Sequence, residues 1–167
     1  NEVRLAAGGY EHYETSAFAR PGHRARHNLN YWTFGDYLGI GAGAHAKVSF
    51  QDRIGRQVRT RKPQPSLGVA PEGRAAEETR TVAESELPFE FMLNALRLVD
   101  GVPLRLFEER TGLPLASIEK ALNAAEAKGL LERDWKRMRP SERGRRFLNE
   151  LLASFLEKKP ARGGMLK

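Results

Sequence analysis

Apolar positions along this chain fall into two textures. From Leu87 onward they recur at helical spacing, whereas before it they come in short runs broken by glycine and proline. Phe89, Met92, Leu93 and Leu96 mark one face of a helix that starts near Pro88, a residue suited to a first helical position; Phe91, Ala95 and Leu98 mark another face. A helix apolar on two faces belongs in a core, and this one is expected to run to Asp100-Gly101. Residues 104–110 predict a second short helix, stopped at Thr111-Gly112. Ile118, Ala121, Leu122 and Ala125 stand at i, i+3, i+4 and i+7 and predict a third, closed by Gly129. Residues 130–139 predict a hairpin around Asp134. Ser141 is placed to cap a last helix with Phe147, Leu148, Leu151, Leu152, Phe155 and Leu156 on one stripe, and Pro160 and Gly163-Gly164 to end the order. The order helix, helix, turn, helix, hairpin, helix is that of a winged helix.

The first half reads differently. Val3, Leu5, Ala6 and Ala7 fit the last turns of a helix stopped by Gly8-Gly9, and residues 10–19 predict a single strand closed by Pro21-Gly22. Asn28 can cap a short helix over residues 29–33, broken at Gly35-Asp36. Residues 47–50 and 57–60 predict two arms of a hairpin, with the turn at residues 52–55. Residues 62–73 are a proline- and glycine-rich linker, and residues 72–86 predict a polar, exposed helix. A lone strand over 10–19 leaves its backbone unpaired. Two expectations follow: the chain is cut from a larger αβ repeat whose neighbouring part is missing, or the strand pairs with one near residues 44–60.

Composition narrows the chemistry. At 167 residues the chain holds one domain or two small ones. No apolar run approaches the roughly 18 residues of a membrane span, and no signal core opens the chain, so a cytoplasmic protein is expected. The absence of cysteine excludes disulfides, zinc–thiolate sites, iron–sulfur ligation and thiol catalysis by this polypeptide itself. A net charge of +7, from 28 basic and 21 acidic residues, attracts anions without choosing among them.

In a winged helix, residues 117–128 would read DNA. Glu119 and Glu126 balance Lys120 and Lys128 there, which favours a packing or docking module over nucleic acid, although Arg133, Lys136, Arg137 and Arg139 make the wing basic. The spacing Gly39-x-Gly41-x-x-Ala44 matches a loose dinucleotide fingerprint, but an expected strand follows it rather than a helix, so the dinucleotide reading fails. Small residues at alternate positions leave room beside a strand for a second backbone or for a flat ligand. Of the four histidines, none has an acidic partner at zinc-hydrolase spacing. A histidine with Tyr31 and Trp32 is the type of set that holds a macrocycle, and an ordinary structural histidine is the other reading. Arg20, Arg24, Arg26, Arg59 and Arg61 could hold carboxylates or form a solvated face.

The string Tyr13-Glu14-x-Ser16-Ala17-Phe18-Ala19-Arg20-Pro21-Gly22, then His27-Asn28-Leu29-Asn30-Tyr31-Trp32, then Phe34-Gly35-Asp36-Tyr37-Leu38-Gly39-Ile40-Gly41-x-Gly43-Ala44-His45, resembles the C-terminal half of the oxygen-independent coproporphyrinogen III oxidase-like proteins, in particular their heme chaperone branch. Pro88-Phe89-Glu90-Phe91, Thr111-Gly112-Leu113 and Phe147-Leu148-Asn149 agree with it. The resemblance implies an α+β chain: the remnant of a partial (β/α) barrel over residues 1–62, a linker and exposed helix over 63–86, a winged-helix-like domain over 87–160 and a disordered tail over 161–167. It implies a parent radical S-adenosylmethionine protein with a [4Fe–4S] cluster, S-adenosylmethionine and heme, its cluster-bearing N-terminal half absent here, which delivers heme to acceptor proteins. The alternative is a true oxidase that decarboxylates porphyrinogen propionates. His27, Asn28, Tyr31 and Trp32 become the heme-handling string, with His27 the candidate iron ligand, and Gly41, Gly43, Ala44 and His45 a cofactor-approach segment.

Overall fold

The computed structural model describes residues 2–59 and 76–156. The chain opens with α1 (Glu2–Ala7) and a two-stranded antiparallel hairpin, β1 (Glu11–Glu14) and β2 (Ala17–Ala19). The single strand expected over 10–19 is therefore two strands paired with each other, and neither arm joins the sheet that follows. Glu14 causes the reversal: its carboxylate accepts from the Ser16 amide at 3.2 Å and the Ser16 hydroxyl at 2.9 Å, an Asx-like local bond that bends the backbone back. The stretch over 10–19 is thus paired with itself and not with residues 44–60.

Next, α2 (Arg26–Trp32) starts two residues before Asn28, behind Ala25, with no side-chain cap, so Asn28 lies inside the helix. The expected hairpin is present as β3 (His45–Ser49) and β4 (Ile54–Arg59), with His45 opposite Val58 and Ser49 opposite Ile54. A third strand, β5 (Ala76–Thr81), pairs antiparallel with β4. It replaces most of the polar helix expected over 72–86, of which only a 3-10 turn at Glu84–Glu86 remains helical. Pairing with the free edge of β4 satisfies the backbone there and outweighs the helix preference of a polar stretch. The expected linker, residues 62–73, lies outside the described residues.

The second half holds α3 (Leu87–Ala95), β6 (Val102–Pro103), α4 (Arg105–Thr111), a 3-10 turn (Leu115–Ile118), α5 (Glu119–Ala127), β7 (Leu131–Arg133), β8 (Arg137–Pro140), α6 (Glu142–Arg146) and α7 (Leu148–Ala153). The strands form a small antiparallel sheet in the order β6-β8-β7. Helix α3 stops at Ala95, short of Asp100, because Leu98 bridges to Glu14 of the first hairpin. Ser141 caps α6 by accepting from the Gly144 amide at 2.9 Å, as expected. The last helix then breaks at Phe147, which is exposed along with Leu156, while Leu151, Leu152 and Phe155 reach the core. The expected disordered tail over 161–167 lies outside the described residues.

The architecture is thus mixed α+β with three small separate sheets, and no barrel closes among the described residues. One core joins the two halves. Phe91 packs edge-on against Phe34 (5.7 Å between ring centres) and Phe107 (5.3 Å), and all three are fully buried. Each such ring contributes roughly 1.5–3 kcal/mol of burial. Phe34 holds a left-handed backbone (φ 56°) to bring its ring there, a conformation that costs roughly 1–3 kcal/mol in a non-glycine residue.

Candidate functional site

After α2 the chain makes a compact loop that builds one wall of an open cleft. Thr33 closes the helix by donating its hydroxyl to Leu29 O at 2.8 Å. Asn30 reaches forward and donates Nδ2 to Asp36 O at 2.8 Å. Gly35 makes room for it, since a Cβ there would lie 2.0 Å from Asn30 Oδ1. Tyr37 then exchanges both backbone hydrogen bonds with Lys47 of β3, at 2.9 and 3.0 Å. The next residues fold back over β3. Gly39 approaches so closely that a Cβ would stand 2.3 Å from His45 O, and Arg59 donates Nε to Gly39 O at 2.6 Å.

The loop is anchored by a buried lysine. Lys47 donates Nζ to Asp36 Oδ1 (2.9 Å), Phe34 O (3.0 Å) and Ser49 Oγ (3.1 Å), and the ammonium lies 4.2 Å from the Phe34 ring centre. Burial pushes the Lys47 ammonium down from its ordinary range against the pull of Asp36. Burial works to raise Asp36, but hydrogen bonds from Lys47 and Ser49 outweigh it and hold the carboxyl below its ordinary value.

The cleft is about 520 Å³ and is lined by Tyr31, Trp32, Tyr37, Leu38, Gly39, Ile40, Ala44, His45 and Asn94. Tyr31 meets Tyr37 edge-on at 4.6 Å, and Arg97 lies 4.3 Å over the Trp32 ring. Leu38 and Ile40 are 79% and 92% exposed. Two bare aliphatic side chains beside aromatic faces and one imidazole suit a flat, largely apolar ligand.

Of the residues singled out in sequence, Tyr31, Trp32, Ala44 and His45 meet in this cleft. His27 does not line it; the ring is one turn earlier on α2, edge-on to Tyr31 at 6.3 Å. Asn28 is half-buried and does not line it either. Gly41 and Gly43 do not lie on a strand, as their spacing had suggested. They sit in a turn at φ 94° and 70°, where glycine serves the backbone rather than an approaching ligand. Tyr37, Leu38, Ile40 and Asn94 were not anticipated in sequence. The one available signal was that aliphatics set between glycines cannot join a periodic core face.

The arginine set is dispersed. Arg24 is engaged by Asp100 at 2.9 Å and Glu11 at 3.3 Å, Arg20 lies 5.4 Å over the Tyr10 ring, Arg59 braces Gly39, and Arg61 lies outside the described residues. On the other half, Arg133 turns back from β7 onto α5. It donates to Glu119 (2.9 and 3.0 Å), Asn123 (2.9 Å) and Glu126 (3.1 and 3.3 Å). The wing arginine nearest that helix is thereby occupied by the helix's own carboxylates.

No group of three or more histidine, cysteine, aspartate or glutamate side chains suited to a metal is present among the described residues. With no cysteine in the sequence, the thiolates that would hold an iron–sulfur cluster do not belong to this chain, and the residues present do not fit that group.

Residues 82–147 match the HemN C-terminal domain. Over 153 residues the chain is 46% identical to the heme chaperone HemW of Escherichia coli (strain K12), covering 91% of this chain and 39% of that protein. The chain is homologous to the C-terminal part of the HemW heme chaperones. It is 40% identical to HemW of Haemophilus influenzae, again over 91% of this chain and 39% of that one. The chain thus spans about two fifths of the length of these curated HemW relatives. Among solved structures it resembles coproporphyrinogen III oxidase (HemN) from Escherichia coli, a radical SAM enzyme, with a TM-score of 0.60 at 16% identity, covering 92% of this chain and 38% of that one. That likeness shows a shared fold. No helix among the described residues is long and apolar enough to cross a membrane.

Proposed function

We propose that this chain is the C-terminal part of a HemW-like heme chaperone and that the cleft beside α2 holds one face of heme as cargo for transfer to acceptor proteins. The observation that carries the reading is the pairing of Leu38 and Ile40, almost bare to solvent, with Tyr31 and Trp32 on one cleft wall. Apolar side chains at such exposure favour a flat hydrophobic partner, and an open cleft suits a cargo that must leave again. In this reading His27 and Asn28 lie one turn up the same helix, Ala44 and His45 line the cleft, and Gly41 and Gly43 shape the turn that leads to them. The [4Fe–4S] cluster and S-adenosylmethionine belong to the portion of such proteins that this chain does not span. Residues 87–156 act as a winged-helix-like packing or docking module, a role supported by the engagement of Arg133 with Glu119 and Glu126.

Trp32 and Trp135 are the two tryptophans of the chain. In a Trp135→Phe background, hemin titration is expected to quench Trp32 fluorescence saturably, and a Leu38→Glu/Ile40→Glu double variant to abolish the quenching. Quenching that is unsaturable, or unchanged in the double variant, rejects the cleft as the heme site.

A further inference from the structure

We infer that His45 is the side chain that ligates the heme iron; this rests on the reading of the cleft as a heme site. Heme iron is held by histidine, methionine, cysteine or tyrosine. Cysteine is absent, and the methionines among the described residues, Met92 and Met138, are fully buried in the core away from the cleft. Of the two tyrosines in the cleft, Tyr37 accepts a hydrogen bond from Arg56 Nη1 at 2.9 Å, and Tyr31, edge-on to Tyr37 at 4.6 Å, would have to give up its phenolic proton to ligate, which a neutral imidazole need not do. Among the four histidines, His12 stacks on Phe18 at 4.4 Å in the first hairpin, and neither His23 nor His27 lines the cleft. His45 does line it, is exposed, and its imidazole makes no hydrogen bond to any described residue.

The backbone that carries His45 is held firmly. It starts β3 opposite Val58, and its carbonyl lies under the Cα of Gly39 so closely that no side chain fits there. The loop bearing Leu38 and Ile40 is therefore tied to the strand bearing the imidazole, so that the apolar contact and the ligand are presented together. Ligation needs no redox step. A neutral imidazole nitrogen gives its lone pair to ferric iron and displaces the water bound there in free hemin, with no proton or electron transferred.

The test is hemin titration of the chain, read by the Soret and visible bands, for wild type, His45→Ala and His27→Ala. His45→Ala is expected to lose the imidazole-ligated spectrum and to bind at least about tenfold more weakly. Added imidazole restores the spectrum, and His27→Ala retains the wild-type bands. An unchanged spectrum in His45→Ala, or loss in His27→Ala alone, overturns the assignment of His45 while leaving the cleft reading intact. Wild-type binding that survives Leu38→Glu/Ile40→Glu undiminished rejects the cleft itself. Since His45 is exposed, its replacement is expected to leave the circular dichroism and the unfolding midpoint unchanged.

Discussion

The ammonium of Lys47, its side chain 1% exposed, sits 2.9 Å from Asp36 Oδ1. The pair ties β3 to the loop that follows α2. A lysine is seldom buried without a partner, and this one satisfies all three of its donors, on Asp36, Phe34 O and Ser49. The Phe34 carbonyl belongs to the residue with the left-handed backbone, so the same ammonium helps to hold that conformation. Tyr37 of the cleft wall exchanges both backbone hydrogen bonds with Lys47 itself.

Replacing Lys47 separates its charge from its stem. Lys47→Ala removes both and leaves a cavity, with an expected loss of about 3 kcal/mol in urea unfolding. Lys47→Met keeps the stem against Phe34 and leaves Asp36 with Ser49, with an expected loss of about 1 kcal/mol. Equal losses would show that the ammonium, rather than the packed stem, holds the loop.

Acid acts through Asp36. Its carboxyl is held below the ordinary aspartate range by Lys47 and Ser49 in spite of burial. Its contribution to stability is therefore full above the unfolded value and is lost as pH falls through the lower folded one. Unfolding midpoints measured between about pH 6 and pH 2 should fall steeply at the acid end, and Asp36→Asn should flatten that part of the profile. A parallel profile in the variant would count against the linkage.

Arg133 couples α5 to β7. The hydrogen bonds it donates to Glu119, together with the charge of Glu126, outweigh the cost of burial and raise its affinity for the proton. Arg133→Ala is expected to lower the melting midpoint, and Arg133→Lys to recover less than half of the loss, because a single ammonium cannot span both carboxylates as a planar fork does. The same Ala variant, with Glu119 and Glu126 released, is expected to bind duplex DNA no better in a mobility-shift assay at physiological salt.

Two glycines separate stability from site geometry. A Cβ on Gly144 would lie 1.9 Å from Leu130 O, so Gly144→Ala should cost more than about 2 kcal/mol of global stability. A Cβ on Gly39 would push the loop off His45 O at the cleft rim. Gly39→Ala should weaken hemin binding several-fold while moving the unfolding midpoint much less. Comparable thermal losses in the two variants would show that the rim is part of the folding core.

Helical spacing together with turn and capping residues located α3, α4 and α5, the turn at Asp134 and the Ser141 cap, because those features depend on neighbours within a turn or two of the chain. Pairing across a turn marked in the sequence followed from local signals, as for β3 with β4 and β7 with β8, but pairing elsewhere did not. The fold-back at residues 15–16 depends on one carboxylate meeting one hydroxyl, and β5 exists because β4 offered it an edge. The resemblance carried by residues 27–45 was legible, yet its roles were not. Asn30, Gly35 and Asp36 build the loop, whereas Tyr31, Trp32 and His45 face the cleft, and only the path of the backbone separates them.

The sequence by itself determined the helical half, the lack of any thiol ligand and the homology to the C-terminal part of heme chaperones. The tertiary structure alone decided that Leu38 and Ile40 stand bare beside two aromatic rings, that His45 rather than His27 lines the cleft, and that a buried lysine anchors the wall. Periodicity reports which residues share a face of one element. A cleft is made where separate elements meet, and that meeting depends on close approaches, such as Gly39 to His45, that leave no periodic trace.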